Sequence, residues 1–509
     1  MKGSYILTIE VGTTACKIIV FDELGRKMAS SSKEHPTFTP RIGWAEQDPE
    51  DWHNSVIEGI RSVLETKRVG AKEIGVVGIT GQMHSVIPVD KASKPLSRCI
   101  ILTDRRSSEQ CEAVSKKISL SEVHLITGNR LDPYITAPKL LWMKDNQPGV
   151  YEETYKFLPP KDFIRLRLTG VFATEPVDAS GTLLYDIRTG EWSTELLNIF
   201  QISQEKMPEI HEPTEVIGEI TEKVAQRTHL EKGTPVVVGG ADDIDMLGTG
   251  AIETGLASGH LGSSGEIAVC VDKPIFDPYG RVECYPHVIK SLWVVGGPTS
   301  NAGTALRWLK DNFAKDLTDR SRREGTNVYE ILDNEAAASK PGSNGLIFLP
   351  YLTGERCPIW DCDARGVLFG LTLTHSRKEV VRAMMEGVAY SFRDVMETIE
   401  TLNVKAEMIR FADRAAKSHV WRRIIADVID RPVLFTNVEE SASLGAMILG
   451  AVGIGLYKTV TEACQKIVEI VETQNPDGKN HETYSKLYSL YKTVYQNLYS
   501  EFKALQNVK

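Results

Sequence analysis

One phrase occurs twice in this chain, and the two copies constrain its fold more than any other feature. The first is Gly12-Thr13-Thr14-Ala15-Cys16-Lys17-Ile18-Ile19-Val20-Phe21-Asp22; the second is Gly262-Ser263-Ser264-Gly265-Glu266-Ile267-Ala268-Val269-Cys270-Val271-Asp272. Each joins a glycine and two hydroxyl residues to an apolar strand that closes on Asp ten residues after the glycine. A clear apolar segment, Tyr5 to Ile9, precedes the first copy, and a weaker one, Ala257 to Leu261, precedes the second. Strand, tight turn and second strand leave backbone N–H groups and hydroxyls converging on one point, a concavity suited to an anion such as phosphate. Two copies imply two similar lobes facing each other across a nucleotide. On the pattern alone, two ordinary Gly-Ser turns in a β-rich protein are the plainer reading.

A chain of 509 residues is too long for one core and is expected to form two large domains with a helical tail. The expected boundaries are 1–246, 247–456 and 457–509. Hydrophobic residues at 42% and charged residues at 25% fit an ordinary globular protein. A net charge of −9 argues against a nucleic-acid partner, which needs a basic face. Eight cysteines are scattered without a Cys-x-x-Cys pair, and Cys270 lies inside an apolar strand. They read as small buried hydrophobes in a reducing compartment. The start lacks the apolar stretch of a signal peptide, and no apolar run of about 18 residues spans a membrane. The expectation is a cytoplasmic protein.

The opening reads as three antiparallel strands, Tyr5–Glu10, Lys17–Phe21 and one from Lys27. Asp48-Pro49 offers an N-cap and first-turn proline for a helix to about Lys67, with Trp52, Val56, Ile60 and Val63 on one face. A buried strand, Ile74 to Ile79, ends at Thr80-Gly81-Gln82-Met83-His84. This is the order of an α/β domain with a site at the sheet edge. A helix-rich stretch then leads to strand Pro235–Val238 and Gly239-Gly240-Ala241-Asp242-Asp243. A strand at Trp293–Gly297 and helices at Ala302–Phe313 and Arg377–Leu402 follow. From about Tyr457 an amphipathic helix is expected, its tyrosines 484, 488, 491, 495 and 499 forming a packing stripe.

Asp242 follows a strand and two glycines that let the backbone turn sharply and carry the carboxylate to the rim. A carboxylate there can take the proton of a hydroxyl attacking a γ-phosphate. Asp243 and Asp245 crowd it, so a metal site and a solvated acidic turn are competing readings. Thr13, Thr14, Lys17 and Ser263 are candidates to face phosphates, Lys17 equally an exposed strand lysine. Gln82, Met83, His84, Asp104 and Arg106 offer the mix of donors and acceptors that a polyhydroxy substrate needs.

Together these segments resemble the FGGY carbohydrate kinases. Tyr134-Ile-Thr136-Ala-Pro-Lys139-Leu140-Leu-Trp142-Met143-Lys-Asp145-Asn146 is similar to the family's first signature. Gly354-Glu355-Arg356-Cys-Pro358-Ile-Trp-Asp361-Cys-Asp-Ala364-Arg365-Gly366, with Gly370-Leu371-Thr372, His375, Arg382-Ala383 and Glu386-Gly387, is similar to the second. The resemblance implies an α/β fold of two actin-like (RNase H-type) lobes with a nucleotide and sugar cleft between them. It also implies transfer of the γ-phosphate of MgATP to a sugar, polyol or sugar-acid hydroxyl as the lobes close. Within the family the chain looks most like xylulokinases, through Gly43-Trp44-Ala45-Glu46-Gln47-Asp48-Pro49, Gly81-Gln82-Met83-His84, Lys161-Asp162-Phe163-Ile164-Arg165 and Asp178-Ala179-Ser180-Gly181-Thr182-Leu183. Gluconate kinases share a run like Met83-His84-Ser85, so D-xylulose and gluconate both stay open as acceptors.

The roles implied are Asp242 as catalytic base, Gln82, Met83, His84, Asp104, Arg106 and Asp243 on the sugar side, and Gly12, Thr13, Thr14, Lys17, Ser263, Gly303, Arg307, Asp413 and Arg414 on the nucleotide side. Glu10 and Asp242 are implied to hold Mg²⁺, and a homodimer is the implied assembly. Three positions depart from the family. Glu10 replaces Asp, Asp243 replaces the Asn usual in xylulokinases, and Asp413-Arg414-Ala415 replaces Gly-Gly-Gly. Side chains at the last site either obstruct ATP or, through Arg414, pair with its phosphates, so a degenerate sugar-binding member is the alternative to a working kinase.

Overall fold

The computed structural model describes residues 4–241, 244–412 and 418–506. The chain divides into two compact units, each built from separated segments. The first comprises Met1–Ile252, Asp272–Val294 and Ser441–Val468; the second comprises Glu253–Val271, Val295–Glu440 and Glu469–Lys509.

In the first unit, the opening meander forms as the alternation of apolar residues predicts. Strands Tyr5–Val11 and Ala15–Phe21 pair antiparallel, and Lys27–Glu34 continues the sheet. Strand Ile74–Gly81 pairs parallel to the first strand on its other side. Pro235–Val237 then joins in parallel and Val216–Glu219 closes the edge antiparallel. The six-strand order is Val216–Glu219, Pro235–Val237, Ile74–Gly81, Tyr5–Val11, Ala15–Phe21, Lys27–Glu34. Helix Pro49–Glu65 starts where expected, the Asp48 carboxylate accepting from Glu50 N at 2.9 Å, and buries Trp52, Val56, Ile60 and Val63 in the sheet's core. Helix Ser441–Gly453 also packs in this unit, because Ser443 to Ala451 is small or apolar all round and wholly buried.

The second unit repeats the plan. Strands Leu256–Leu261 and Gly265–Val271 form an antiparallel hairpin. Met408–Phe411 joins the first of them in parallel, Val433–Thr436 follows in parallel, and Ile470–Gln474 closes the edge antiparallel. Trp293–Thr299 flanks the hairpin on its other side. In both sheets the hairpin's first strand is central and the next two parallel strands extend away from it. This is the topology that the doubled phrase implies.

The region after Tyr457 corrects the expectation of one amphipathic helix. Helix Val460–Ile467 is followed by strand Ile470–Gln474 and then by helix Gly478–Gln506. The β-branched residues Ile470, Val471 and Thr473 favour the extended strand. Asp477 then restarts the helix by accepting from Lys479 N and Asn480 N at 2.9 and 3.0 Å. The tyrosine stripe packs within the second unit. Tyr484 accepts from Arg382 at 2.8 Å, Tyr488 donates to Asp394 at 3.0 Å, and Tyr491 accepts from Tyr351 at 2.6 Å. Of the cysteines, Cys362 is exposed and the other seven are buried.

Candidate active site

The first hairpin turns through Gly12–Ala15, with Gly12 N donating to Ala15 O at 3.1 Å and Thr13 and Thr14 exposed at the tip. The register sets Glu10 directly across from Lys17. Lys17 Nζ lies 3.1 Å from Glu10 Oε1, and Ser443 Oγ donates to Oε2 at 2.7 Å. The longer side chain of Glu10 is thus fixed at both oxygens. Mg²⁺ keeps several waters and takes only one or two carboxylates, so Glu10 suits an ion held through its water shell.

Of the residues expected on the sugar side, Gln82, Met83 and His84 follow the end of strand Ile74–Gly81. Gln82 donates to Gln47 Oε1 at 3.1 Å, and Gln47 donates to Thr13 O at 2.7 Å, which ties this strand end to the hairpin tip. His84 sits in the left-handed region (φ 56°) with its Nδ1 2.9 Å from Gly181 O. Gly181 makes room for this: a Cβ there would lie 2.8 Å from Met83 Cε and 3.4 Å from His84 Cε1. Lys139 is wholly buried and donates to the carbonyls of His84, Tyr134 and Ile101 at 2.7, 2.7 and 2.9 Å. Burial pulls its ammonium down to about 7, with Asp104 pulling back. Tyr134 packs edge-on to His84, Tyr285 OH is 3.5 Å from His84 Nε2, and Tyr134 OH donates to buried Glu283.

Asp104 and Arg106 are not free pocket groups. Their side chains are buried against each other, Arg106 Nη2 donating to Asp104 Oδ2 and Glu46 Oε1, each at 2.8 Å. The guanidinium lies 3.8 and 4.8 Å from the ring centroids of Trp44 and Trp142. The polar atoms of the pair are spent on each other, on Glu46 and on the Ala45 backbone N–H.

Asp242, Asp243, Asp413 and Arg414 lie outside the described residues, but the approach to Asp242 is visible. Arg165 donates to Val238 O at 2.8 Å, and Glu175 Oε1 accepts from Ala241 N at 3.1 Å. Lys161 ties the group together, 2.7 Å from Asp162, 3.5 Å from Glu175 and 2.9 Å from Asp178. Burial opposes the Lys161 charge, yet the three carboxylates outweigh it and raise the ammonium. Burial raises the Asp178 carboxyl too, well above the usual carboxylate range, with Lys161 pulling it back.

The second hairpin borders a cavity of 560 Å³ lined by Gly262, Ser263, Gly303, Arg307, Asp333 and Trp421, among others. Arg307 Nη2 donates to Ser263 Oγ at 2.8 Å. The hairpin turn is clamped from the start of helix Gly303–Phe313: Gly303 N donates to Gly262 O at 2.8 Å, and Ala302 N and Thr304 N donate to Ser263 O at 3.0 and 3.1 Å. Gly303 permits that approach, since a Cβ would fall 2.6 Å from Gly262 O. At the cavity's other side Ser418 Oγ donates to Asp333 Oδ1 at 2.9 Å, and desolvation raises the Asp333 carboxyl. The cavity thus has a cationic hydroxyl-bearing end and an acceptor-bearing end. It gathers Ser263, Gly303 and Arg307 from the sequence expectation and adds Asn327, Asp333 and Trp421, which no local pattern marks.

Residues 5–247 match the N-terminal domain, and residues 260–454 the C-terminal domain, of the FGGY family of carbohydrate kinases. The chain belongs to this family. The xylulose kinase of Bacillus subtilis (strain 168) is 32% identical over 494 residues, 96% of each chain. The gluconokinase of the same strain is 33% identical over 454 residues, 89% of this chain and 88% of its own. The solved structure of ligand-bound xylulose kinase from Lactobacillus acidophilus superposes with a TM-score of 0.90 at 30% identity, covering 98% of this chain and 99% of that one. This FGGY kinase therefore has the two-lobed actin-like architecture and is an ATP-dependent sugar kinase. Among its described residues, no helix is long and apolar enough to cross a membrane.

Proposed function

We propose that this kinase transfers the γ-phosphate of MgATP to a hydroxyl of a ketopentose of the D-xylulose class. The observation that favours a neutral sugar is Glu283, a buried carboxylate bonded to Tyr134 beside His84. An aldonate would bring a second carboxylate beside this one. The similarity to a gluconokinase supports gluconate as the second reading.

In the proposed reaction Asp242 accepts the proton of the acceptor hydroxyl as its oxygen attacks the γ-phosphorus, and the bond to the bridging oxygen of ADP breaks. His84, fixed by Gly181 and Lys139, and Gln82 orient the sugar. Ser263, Gly262 and Arg307 bind the nucleotide's phosphate side. Glu10 and Asp242 would hold Mg²⁺, which supplies charge neutralisation at the β- and γ-phosphates. A cytoplasmic homodimer completes the reading.

The test is MgATP-dependent ADP release against a panel of ketopentoses, polyols and aldonates, for wild type and Glu283→Gln. D-xylulose is expected to give the highest kcat/KM, with gluconate gaining on it in the variant. Preference of the wild type for gluconate, unchanged in the variant, would overturn the assignment.

A further inference from the structure

The second family signature has no part in the chemistry above, yet its Glu355 carboxylate is buried, 4% exposed. Its Oε1 accepts from Ser300 N at 2.5 Å and from Arg356 N at 2.8 Å. Its Oε2 is buried with no hydrogen-bond partner among the described residues. The neighbouring guanidinium of Arg356 donates instead to Thr299 O at 3.3 Å. A buried, poorly compensated carboxylate is costly, so its retention needs a reason beyond packing.

The reason lies in what Ser300 leads to. Residues 300–302 connect strand Trp293–Thr299 to helix Gly303–Phe313. That connection and the start of the helix send three N–H groups, from Ala302, Gly303 and Thr304, into the carbonyls of Gly262 and Ser263. Those two residues line the 560 Å³ cavity. The signature loop is itself rigid: Glu355 and Asp361 exchange backbone hydrogen bonds at 2.9 Å, and Cys357 N donates to Pro298 O at 3.1 Å. Glu355 therefore holds Ser300 by a hydrogen bond, and the backbone two to four residues further on holds the hairpin turn by three more.

We propose that Glu355 is a positioning residue for the nucleotide, its ionised carboxylate holding the Ser300–Thr304 connection so that Gly262 and Ser263 meet the phosphates. This rests on reading the cavity as the ATP site. Burial lifts the Glu355 carboxyl to about 7, the Ser300 and Arg356 N–H bonds opposing it. The groups facing it are Arg356 on its own loop, and Tyr351 and Tyr491 from the strand end and C-terminal helix. Both tyrosines are held neutral by burial, so the carboxylate is the group that titrates near neutrality. A protonated Glu355 accepts the Ser300 N–H more weakly, and nucleotide affinity follows.

The experiment compares wild type, Glu355→Gln and Arg307→Met by MgADP titration and steady-state kinetics between pH 6 and 8. Glu355→Gln is expected to raise the ADP Kd and ATP KM about tenfold, with the loss concentrated in KM for ATP and the sugar KM unmoved. Its Tm should not fall, because a buried charge has been removed. Wild-type affinity should weaken as pH drops through 7, and the variant's should stay flat. Unchanged affinity and an unchanged pH profile in Glu355→Gln, with Arg307→Met weakened, would overturn this inference alone. Unchanged affinity in both variants would overturn the cavity as the nucleotide site and the inference with it.

Discussion

The two hairpins share a plan and differ in how they are held. Both place an acid across from a basic side chain just before the turn: Glu10 across from Lys17 in the first, Glu266 across from His260 in the second. In the first the acid stands on the incoming strand and is gripped by Lys17 and by Ser443 from a distant helix. In the second the acid stands on the outgoing strand, and desolvation raises its carboxyl while His260 and Arg356 pull it back. The first turn spans Gly12–Ala15, whereas the second is closed by a pair one residue nearer, Leu261 with Gly265, and has its carbonyls capped by helix Gly303–Phe313. We propose that the first hairpin presents its carboxylate to the metal and that the second holds its turn for the phosphates, one fold element serving two tasks through its surroundings.

Removing the carboxylates tests that division most sharply. Glu10→Gln should lower kcat about 100-fold with little change in KM for ATP, the scale of losing one preorganised electrostatic group. Glu266→Gln should leave kcat within a few-fold, and equal losses in steady-state kinetics would erase the distinction. Arg307→Met should raise KM for ATP about tenfold, the scale of one charge-assisted hydrogen bond, as read by nucleotide titration. Ser443→Ala should lower kcat only about threefold, since Lys17 still holds Glu10, and a change in KM for ATP instead would count against this placement.

Acid stability should separate the two units more gently. In the first, burial lowers His53 and His287 from 6.5 to about 4. Their contribution is fully present above pH 6.5 and is lost as pH falls toward 4, by at most roughly 3 kcal/mol each. In the second, burial raises Glu355 to about 7 and Asp394 to about 6, so their contribution is present at low pH and is lost as pH rises through those values. Hydrogen exchange at pH 7.5 and 5.5 should show protection falling on acidification in residues 1–252 and holding in residues 295–440. A uniform loss would remove this contrast.

The hairpins and the capped helix Pro49–Glu65 were legible because their signals are local: alternation, a turn glycine, an Asp-Pro start. The packing of helix Ser441–Gly453 in the first unit was not, because apolar residues all round show burial without a partner. Asp104 and Arg106 read as pocket groups, but two tryptophans from separate segments pack on Arg106, and the pair bonds itself, Glu46 and the Ala45 backbone. Lys139 carries no mark in sequence that it binds three carbonyls and fixes His84. Strand Ile470–Gln474 was hidden by helical periodicity on both sides, although its β-branched run was there to read.

We propose above all that Asp242 drives the phosphoryl transfer. The direct measurement is ADP release at saturating MgATP and sugar for wild type and Asp242→Asn, with sugar affinity titrated in parallel. The account predicts a loss of about 10³-fold or more in turnover with the sugar Kd within about twofold. Turnover within tenfold of wild type in the variant would contradict it.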